Sequence, residues 1–278
     1  MASPLISPRD LAVLQGAVLL DARPKPDFDA GHLRNALHVD VGVHLSGASE
    51  PDSDPAKGGR HPLPSLKRWR TTLGLLGISP DTPVVVYDNQ GGANAAARAW
   101  WMLQSIGHAP VQVLDGGLKA ALEAGWDLST GVSVAQPCSQ YPATAWLLPT
   151  ADIDVVEKLA KHREWKVLDV RSKARYRGDE EPLDPVAGHI PGALNLPYTE
   201  NLDAEGHFKS AGELRVLYSE LLGDLRPDHL VVHCGSGITA CHTLLALEYA
   251  GLPGAALYVG SWSEWCRSGK PMATGETP

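Results

Sequence analysis

The sequence predicts an α/β protein made of two copies of one domain, each a mainly parallel sheet flanked by helices. Two observations carry this reading. First, the chain repeats itself in four places, in the same order. Leu19-Leu20-Asp21-Ala22-Arg23 matches Val167-Leu168-Asp169-Val170-Arg171, and Gly31-His32-Leu33-Arg34-Asn35-Ala36-Leu37 matches Gly188-His189-Ile190-Pro191-Gly192-Ala193-Leu194. Val84-Val85-Val86-Tyr87-Asp88 matches Leu230-Val231-Val232-His233-Cys234, and Leu114-Asp115-Gly116-Gly117 matches Tyr258-Val259-Gly260-Ser261. Second, short apolar runs alternate with helical stretches within each copy, which is the pattern of a sheet covered on both faces.

In chain order, the first copy offers strands at Val18 to Asp21, Val84 to Tyr87 and Val111 to Leu114. Its helices fit Ala93 to Ile106 and Leu118 to Ala124. The second copy offers strands at Val167 to Asp169, Leu230 to His233 and Ala256 to Tyr258, with helices at Ile153 to Lys161, Glu213 to Leu222 and Thr239 to Ala250. The stretch from Gly131 to Pro149 is rich in Ser, Thr, Pro and Gln and reads as a linker. The expected division is therefore 1–130, a linker over 131–149, and 150–278.

Composition narrows the function. With 278 residues and 44% hydrophobic content, the chain can bury real cores. The formal net charge is −8 and no dense Lys/Arg run occurs, which argues against nucleic acid or anionic membranes as partners. An anionic small substrate must then be drawn by local cations. The four cysteines, Cys138, Cys234, Cys241 and Cys266, show neither a CxxC pair nor a zinc spacing. No signal-peptide pattern opens the chain, and no apolar run is long enough to span a bilayer. A reducing cytoplasm is the expected compartment.

The chemistry centres on Cys234-Gly235-Ser236-Gly237-Ile238-Thr239, which follows an apolar strand and precedes an apolar helix. Such a loop can curl so that its backbone N–H groups converge, making an anion nest at a helix start. A cysteine placed there is stabilised as a thiolate near neutral pH. The competing reading is a buried, inert cysteine in an ordinary strand–turn–helix. Cysteine phosphatases follow His-Cys with five residues and then an arginine that clamps phosphate. Here the arginine position holds Ala240, which argues against phosphoryl transfer. A short, neutral loop suits transfer of one sulfur atom to the thiolate, giving a persulfide.

Three motifs carry a family resemblance. The Cys234 loop with Ala240, Tyr258-Val259-Gly260-Ser261-Trp262-Ser263-Glu264-Trp265, and Gly188-His189-Ile190-Pro191-Gly192-Ala193 are similar to those of the two-domain rhodanese sulfurtransferases. The loop most resembles the 3-mercaptopyruvate sulfurtransferase branch. The resemblance implies tandem rhodanese-like domains and a sulfurtransferase that moves sulfane sulfur from 3-mercaptopyruvate to a thiol acceptor, such as thioredoxin or glutathione, or to cyanide. It implies no metal and no cofactor. A monomer is expected. Thiosulfate is the alternative donor, and a non-enzymatic persulfide carrier is the alternative of another class. The first copy has Asp88 where the second has Cys234, so it should be catalytically silent and form one wall of a cleft.

Asp169 to His189 spans 20 positions against 11 from Asp21 to His32, so the second copy carries an insertion. It contains Arg175, which the resemblance assigns to the substrate anion. Mercaptopyruvate-using relatives have a second arginine directly after the Glu-Pro pair, where this chain has Leu183. Thiosulfate-using relatives have basic residues inside the cysteine loop, where this chain has none. Gly235, Ser236, Gly237, Ile238 and Thr239 are expected to surround the substrate. Ser236 could donate to it or simply be small enough for a tight loop. His61 in Gly59-Arg60-His61-Pro62 is the counterpart of a histidine that faces the loop serine in relatives, although the aspartate beside it has no match. Arg171, paired with Arg23 in the silent copy, reads as structural. His32, His189 and His233 read the same way. Cys241 reads as an inert helix cysteine, with a disulfide to oxidised Cys234 as the alternative. Trp262 and Trp265 read as core.

Overall fold

The computed structural model describes residues 3–93 and 95–278. It separates into two compact units. One holds the chain up to Gly47 with Pro64–Leu148 and Ala204–Phe208; the other holds Ala48–Leu63, Pro149–Asp203 and Lys209–Pro278. Residues 48–63 come from the N-terminal half of the chain but belong to the second unit.

The strands of the first unit are β1 (Leu5–Ile6), β2 (Val18–Asp21), β3 (His32–Leu33), β4 (Leu37–His38), β5 (Val84–Tyr87), β6 (Val111–Leu114) and β7 (Leu128–Ser129). Five of them form a parallel sheet in the order β1-β6-β5-β2-β4, and β3 pairs antiparallel with β7. All four residues of β5 are buried, which explains the unbroken run Val84-Val85-Val86-Tyr87. The helix expected from Ala93 runs over Ala96–Gln104. Gly91 and Gly92, at φ 62° and 82°, extend the loop before it. Asn94, within the expected helix, lies outside the described residues.

The second unit repeats the plan with β8 (Thr150–Ala151), β9 (Lys166–Asp169), β10 (Leu194–Asn195), β11 (Leu230–His233) and β12 (Ala256–Tyr258). Its parallel order is β10-β9-β11-β12-β8, which is the order of the first sheet. Registers agree as well: Asp169 lies opposite His233 as Asp21 lies opposite Tyr87. The core on one face gathers Val156, Val167, Ile190, Val231, Tyr258, Trp262 and Trp265. Both tryptophans are thus core residues, as their spacing suggests. The Ala211–Leu222 helix starts two residues before the expected Glu213, because Ser210 and Glu213 form a capping box. Ala240–Tyr249 is a helix whose first turn has no side-chain cap, since Thr239 makes no capping hydrogen bond.

The stretch read as a linker is held to the first unit through residue 148. Cys138 N–H donates to Gly74 O, Tyr141 N–H to Arg70 O, and Leu147 N–H to Ser105 O. Tyr141 is buried there, beside His108.

Candidate active site

Strand β11 ends at His233 and delivers Cys234 at the carboxyl end of the sheet, where parallel α/β folds place their ligands. Cys234 is buried, with 3% of its surface exposed. Its main chain is clamped by the segment after β12. The N–H of Cys234 donates to Ser261 Oγ at 3.2 Å. The carbonyls of Cys234 and Gly235 accept from Trp262 N at 3.0 Å and Ser263 N at 2.9 Å. Gly237 turns the loop at φ 75°, and a Cβ there would lie 2.4 Å from the Val259 carbonyl oxygen. Only glycine satisfies both constraints.

Two guanidinium groups lie against Gly235. A Cβ on that residue would stand 3.2 and 3.4 Å from the terminal nitrogens of Arg175 and 3.6 Å from Nη2 of Arg60. A side chain at 235 would occupy the space the arginines use. Arg175 comes from a short helix, Lys173–Arg177, at the start of the insertion. Glu181 holds it bidentately, through Nη2 at 2.6 Å and Nε at 3.2 Å. Glu181 also takes Arg171 Nη1 at 3.2 Å. Asp184, from the same insertion, pairs with Arg60, with Arg267 at 2.7 Å and with Arg175 at 3.8 Å. Burial alone would raise the Asp184 carboxyl, but hydrogen bonds and charges from Arg60 and Arg267 outweigh it and hold it below the usual carboxylate range. Four guanidiniums, of Arg60, Arg171, Arg175 and Arg267, thus share three carboxylates, of Asp169, Glu181 and Asp184. The surplus positive charge lies next to the thiol loop.

His61 reaches the same loop. Its Nδ1 lies 2.8 Å from Ser236 Oγ. The main chain that carries Arg60 and His61 is docked on the segment after β12. Gly59, at φ 77°, packs so closely on Gly260 that a Cβ would meet the Gly260 carbonyl oxygen at 2.3 Å. Arg60 N–H donates to Ser263 Oγ at 3.1 Å. Burial raises the Glu264 carboxyl, and hydrogen bonds from Tyr258 and the Gly58 backbone partly offset this. The motif Tyr258 to Trp265 therefore both clamps the cysteine loop and docks the segment bearing the second cation and the histidine.

The first unit contains the same loop with an anion built in. Asp88 is fully buried, and its Oδ1 accepts Gln90 N at 2.8 Å and Gly92 N at 2.9 Å, while Oδ2 accepts Ala96 N at 3.2 Å. In this copy the backbone N–H groups of the loop converge on the chain's own carboxylate.

These two loops sit in two matched ranges. The family model for the rhodanese-like domain matches residues 7–124 and again 152–268. The chain belongs to the rhodanese family of sulfurtransferases. It is 42% identical over 277 residues to a probable 3-mercaptopyruvate sulfurtransferase of Pseudomonas aeruginosa, covering 98% of this chain and 95% of that one. It is 40% identical over 257 residues to a putative thiosulfate sulfurtransferase of Mycobacterium tuberculosis, covering 89% and 87%. Among solved structures, 3-mercaptopyruvate sulfurtransferase from Leishmania major aligns with a TM-score of 0.83 at 28% identity, over 97% of this chain and 75% of that one.

Arg171 pairs with Asp169 and with the Gly188 carbonyl, as Arg23 pairs with Asp21 and the Gly31 carbonyl. This is the shared structural bridge, with Glu181 added in the second copy. His189 binds the Tyr176 carbonyl at 2.8 Å and stacks on that ring; His32 binds the Phe28 carbonyl at 3.0 Å and stacks likewise. His233 is buried, its Nδ1 3.2 Å from the Cys234 carbonyl and its Nε2 3.9 Å from Asp169; burial lowers its pKa against the pull of Asp169. Cys241 is buried and its thiol donates to the Gly237 carbonyl at 3.4 Å; neither it nor the other cysteines are in a disulfide. Sequence reading missed Arg60, Asp184 and Ser261. For Arg60 a signal existed, since it adjoins His61. Among the described residues no group of His, Cys, Asp and Glu could hold a metal ion, and no helix is long and apolar enough to cross a membrane.

Proposed function

We propose that Cys234 takes sulfur from 3-mercaptopyruvate and passes it on as a persulfide. The observation that carries the choice of donor is the 2.8 Å contact of His61 with Ser236, two residues from the thiol. Desulfuration of a mercapto keto acid breaks a C–S bond. The thiolate attacks the donor sulfur, an S–S bond forms, and the electron pair of the C–S bond enters the keto acid as an enolate. The donor's thiol proton ends on that carbon, so pyruvate leaves and Cys234 keeps the outer sulfur as a persulfide anion. A hydroxyl–imidazole pair beside the thiol supplies a hydrogen bond to the enolate oxygen and a route for the proton. Thiosulfate needs neither, because sulfite leaves with its electron pair and no proton moves.

The carboxylate of the donor lies against Arg175 and Arg60. Arg60 takes the part of the cation that Leu183 cannot supply. The persulfide carries its charge on the second atom beyond Cβ, as a carboxylate does. The bonds of Asp88 in the silent copy therefore support the reading that N–H groups of residues 235–239 hold the outer sulfur. A thiol such as thioredoxin or glutathione, or cyanide, then removes that sulfur in a double displacement with ping-pong kinetics. The scheme uses no metal or organic cofactor. We place the enzyme in the cytoplasm as a monomer; four cysteines outside any disulfide suit a reducing compartment.

Thiosulfate is the second reading, favoured by the two guanidiniums at Gly235, which also suit a dianion. Intact-mass measurement after donor treatment should show one added sulfur on the wild type and none on Cys234→Ser. The kcat/KM for mercaptopyruvate should exceed that for thiosulfate. The reverse order would make this a thiosulfate-using rhodanese.

A further inference from the structure

We propose that Ser261 is a positioning residue for the nucleophile: its hydroxyl holds the Cys234 main chain, at the cost of a left-handed backbone. The inference rests on the reading that Cys234 is the nucleophile. Ser261 lies at φ 53°. The other non-glycine residues described at positive φ are Asn35 and Asp52, types that tolerate this region. A serine there is strained, and Ser261 is fully buried. Its hydroxyl is committed on both sides. It donates to the Tyr258 carbonyl at 2.9 Å and accepts the Cys234 N–H at 3.2 Å. The donation fixes the oxygen's lone pairs toward Cys234 and ties the ends of β11 and β12 together.

The first unit gives the comparison. There the equivalent residue is Gly117, at φ 59°, and the backbone contact is retained: Leu118 N donates to Asp88 O at 2.9 Å, as Trp262 N donates to Cys234 O at 3.0 Å. The turn thus forms with glycine and needs no hydroxyl. The silent copy uses the residue that fits without strain, and the copy with the thiol uses one that does not. What the serine adds is the bond to the Cys234 N–H. That bond withdraws this N–H from the anion nest and sets the direction of the Cα–Cβ bond, hence the place of the sulfur among the N–H groups that follow.

The test compares Ser261→Gly with Ser261→Ala in the full chain. Glycine removes hydroxyl and strain together; alanine removes the hydroxyl and keeps the strain. Both should lower kcat for 3-mercaptopyruvate roughly 10- to 100-fold, the scale of a misplaced reacting group, with KM within about twofold. Both should slow alkylation of Cys234 by iodoacetamide, a neutral reagent, at a fixed pH, read by peptide mass. Only alanine should lower the thermal midpoint markedly, and glycine should fold as it does at Gly117. Wild-type kcat and an unchanged alkylation rate in Ser261→Gly would overturn the proposal, as would a loss of kcat confined to Ser261→Ala. Failure of iodoacetamide to label Cys234 in the wild type would instead overturn the reading of Cys234 itself.

Discussion

Replacing His61 with asparagine separates the two donors. Asparagine keeps a polar group near Ser236 but cannot carry a proton. The substitution should leave the local chain in place, because the segment is held by Gly59 against Gly260 and by Arg60 N–H to Ser263 Oγ, contacts that involve no His61 side-chain atom. The 2.8 Å contact with Ser236 is a full hydrogen bond, so the whole contribution of a proton-transfer pair is at stake. General acid–base assistance is worth about 100-fold at the low end, or about 2.7 kcal/mol of barrier. With mercaptopyruvate, kcat should therefore fall roughly 100-fold. With thiosulfate no proton moves, and kcat should change less than about threefold. Steady-state rates with both donors, at saturating cyanide, give the comparison on one protein preparation. Equal losses with both donors would mean that His61 shapes the loop and carries no proton. No loss with either would remove the His61–Ser236 pair from the mechanism.

Other outcomes follow from the same geometry. Arg60→Gln should raise KM for mercaptopyruvate roughly tenfold and Arg175→Ala at least as much, each with a smaller change in kcat. Asp88→Ala leaves three N–H groups, two of them buried, without their carboxylate and should lower stability by roughly 2–4 kcal/mol in a denaturant melt, while turnover of the folded enzyme changes far less than in Cys234→Ser. Asp184 titrates below its unfolded value, so its stabilisation is complete above about pH 4 and is lost as pH falls through the depressed pKa. The stability gap between wild type and Asp184→Asn should accordingly be full at pH 7 and close on acidification. A fragment beginning at Pro149 lacks Arg60 and His61 and should load sulfur from mercaptopyruvate poorly; adding a peptide of residues 48–63 tests whether that segment is what is missing.

Much of this was legible in the sequence, for identifiable reasons. Strands β2, β5, β6, β11 and β12 fall where the apolar runs placed them, because strands buried on both faces are continuous in sequence. The loop was legible because Gly237 stands where a Cβ would collide and Gly235 where one would crowd the arginines. Arg60 and Asp184 were not, because a charged residue in an irregular segment reads as solvated until its partner is known. Asp184 lies 124 positions from Arg60, and no local pattern joins them. The edge strands β1, β4, β8 and β10, two residues each, are too short to show a period. Ser261 was hidden for another reason: strain is a backbone property, and a serine after a glycine announces none.

The two copies share a scaffold and differ around one loop. Sheet order, the Asp–Arg bridge, the stacked histidine and the loop clamp recur in both. In the first unit the nest is closed by its own carboxylate, and the turn beside it is an unstrained glycine pair. In the second, a thiol stands at the position of the carboxylate. The further differences lie around that thiol. The insertion brings Glu181 and Asp184, which orient guanidiniums at the loop. A segment from the N-terminal half brings another guanidinium and an imidazole. Serine replaces glycine where the Cys234 N–H takes a hydroxyl acceptor. The first unit closes its loop on its own carboxylate, and the second sets guanidiniums beside the loop instead, the arrangement that the proposed persulfide chemistry calls for.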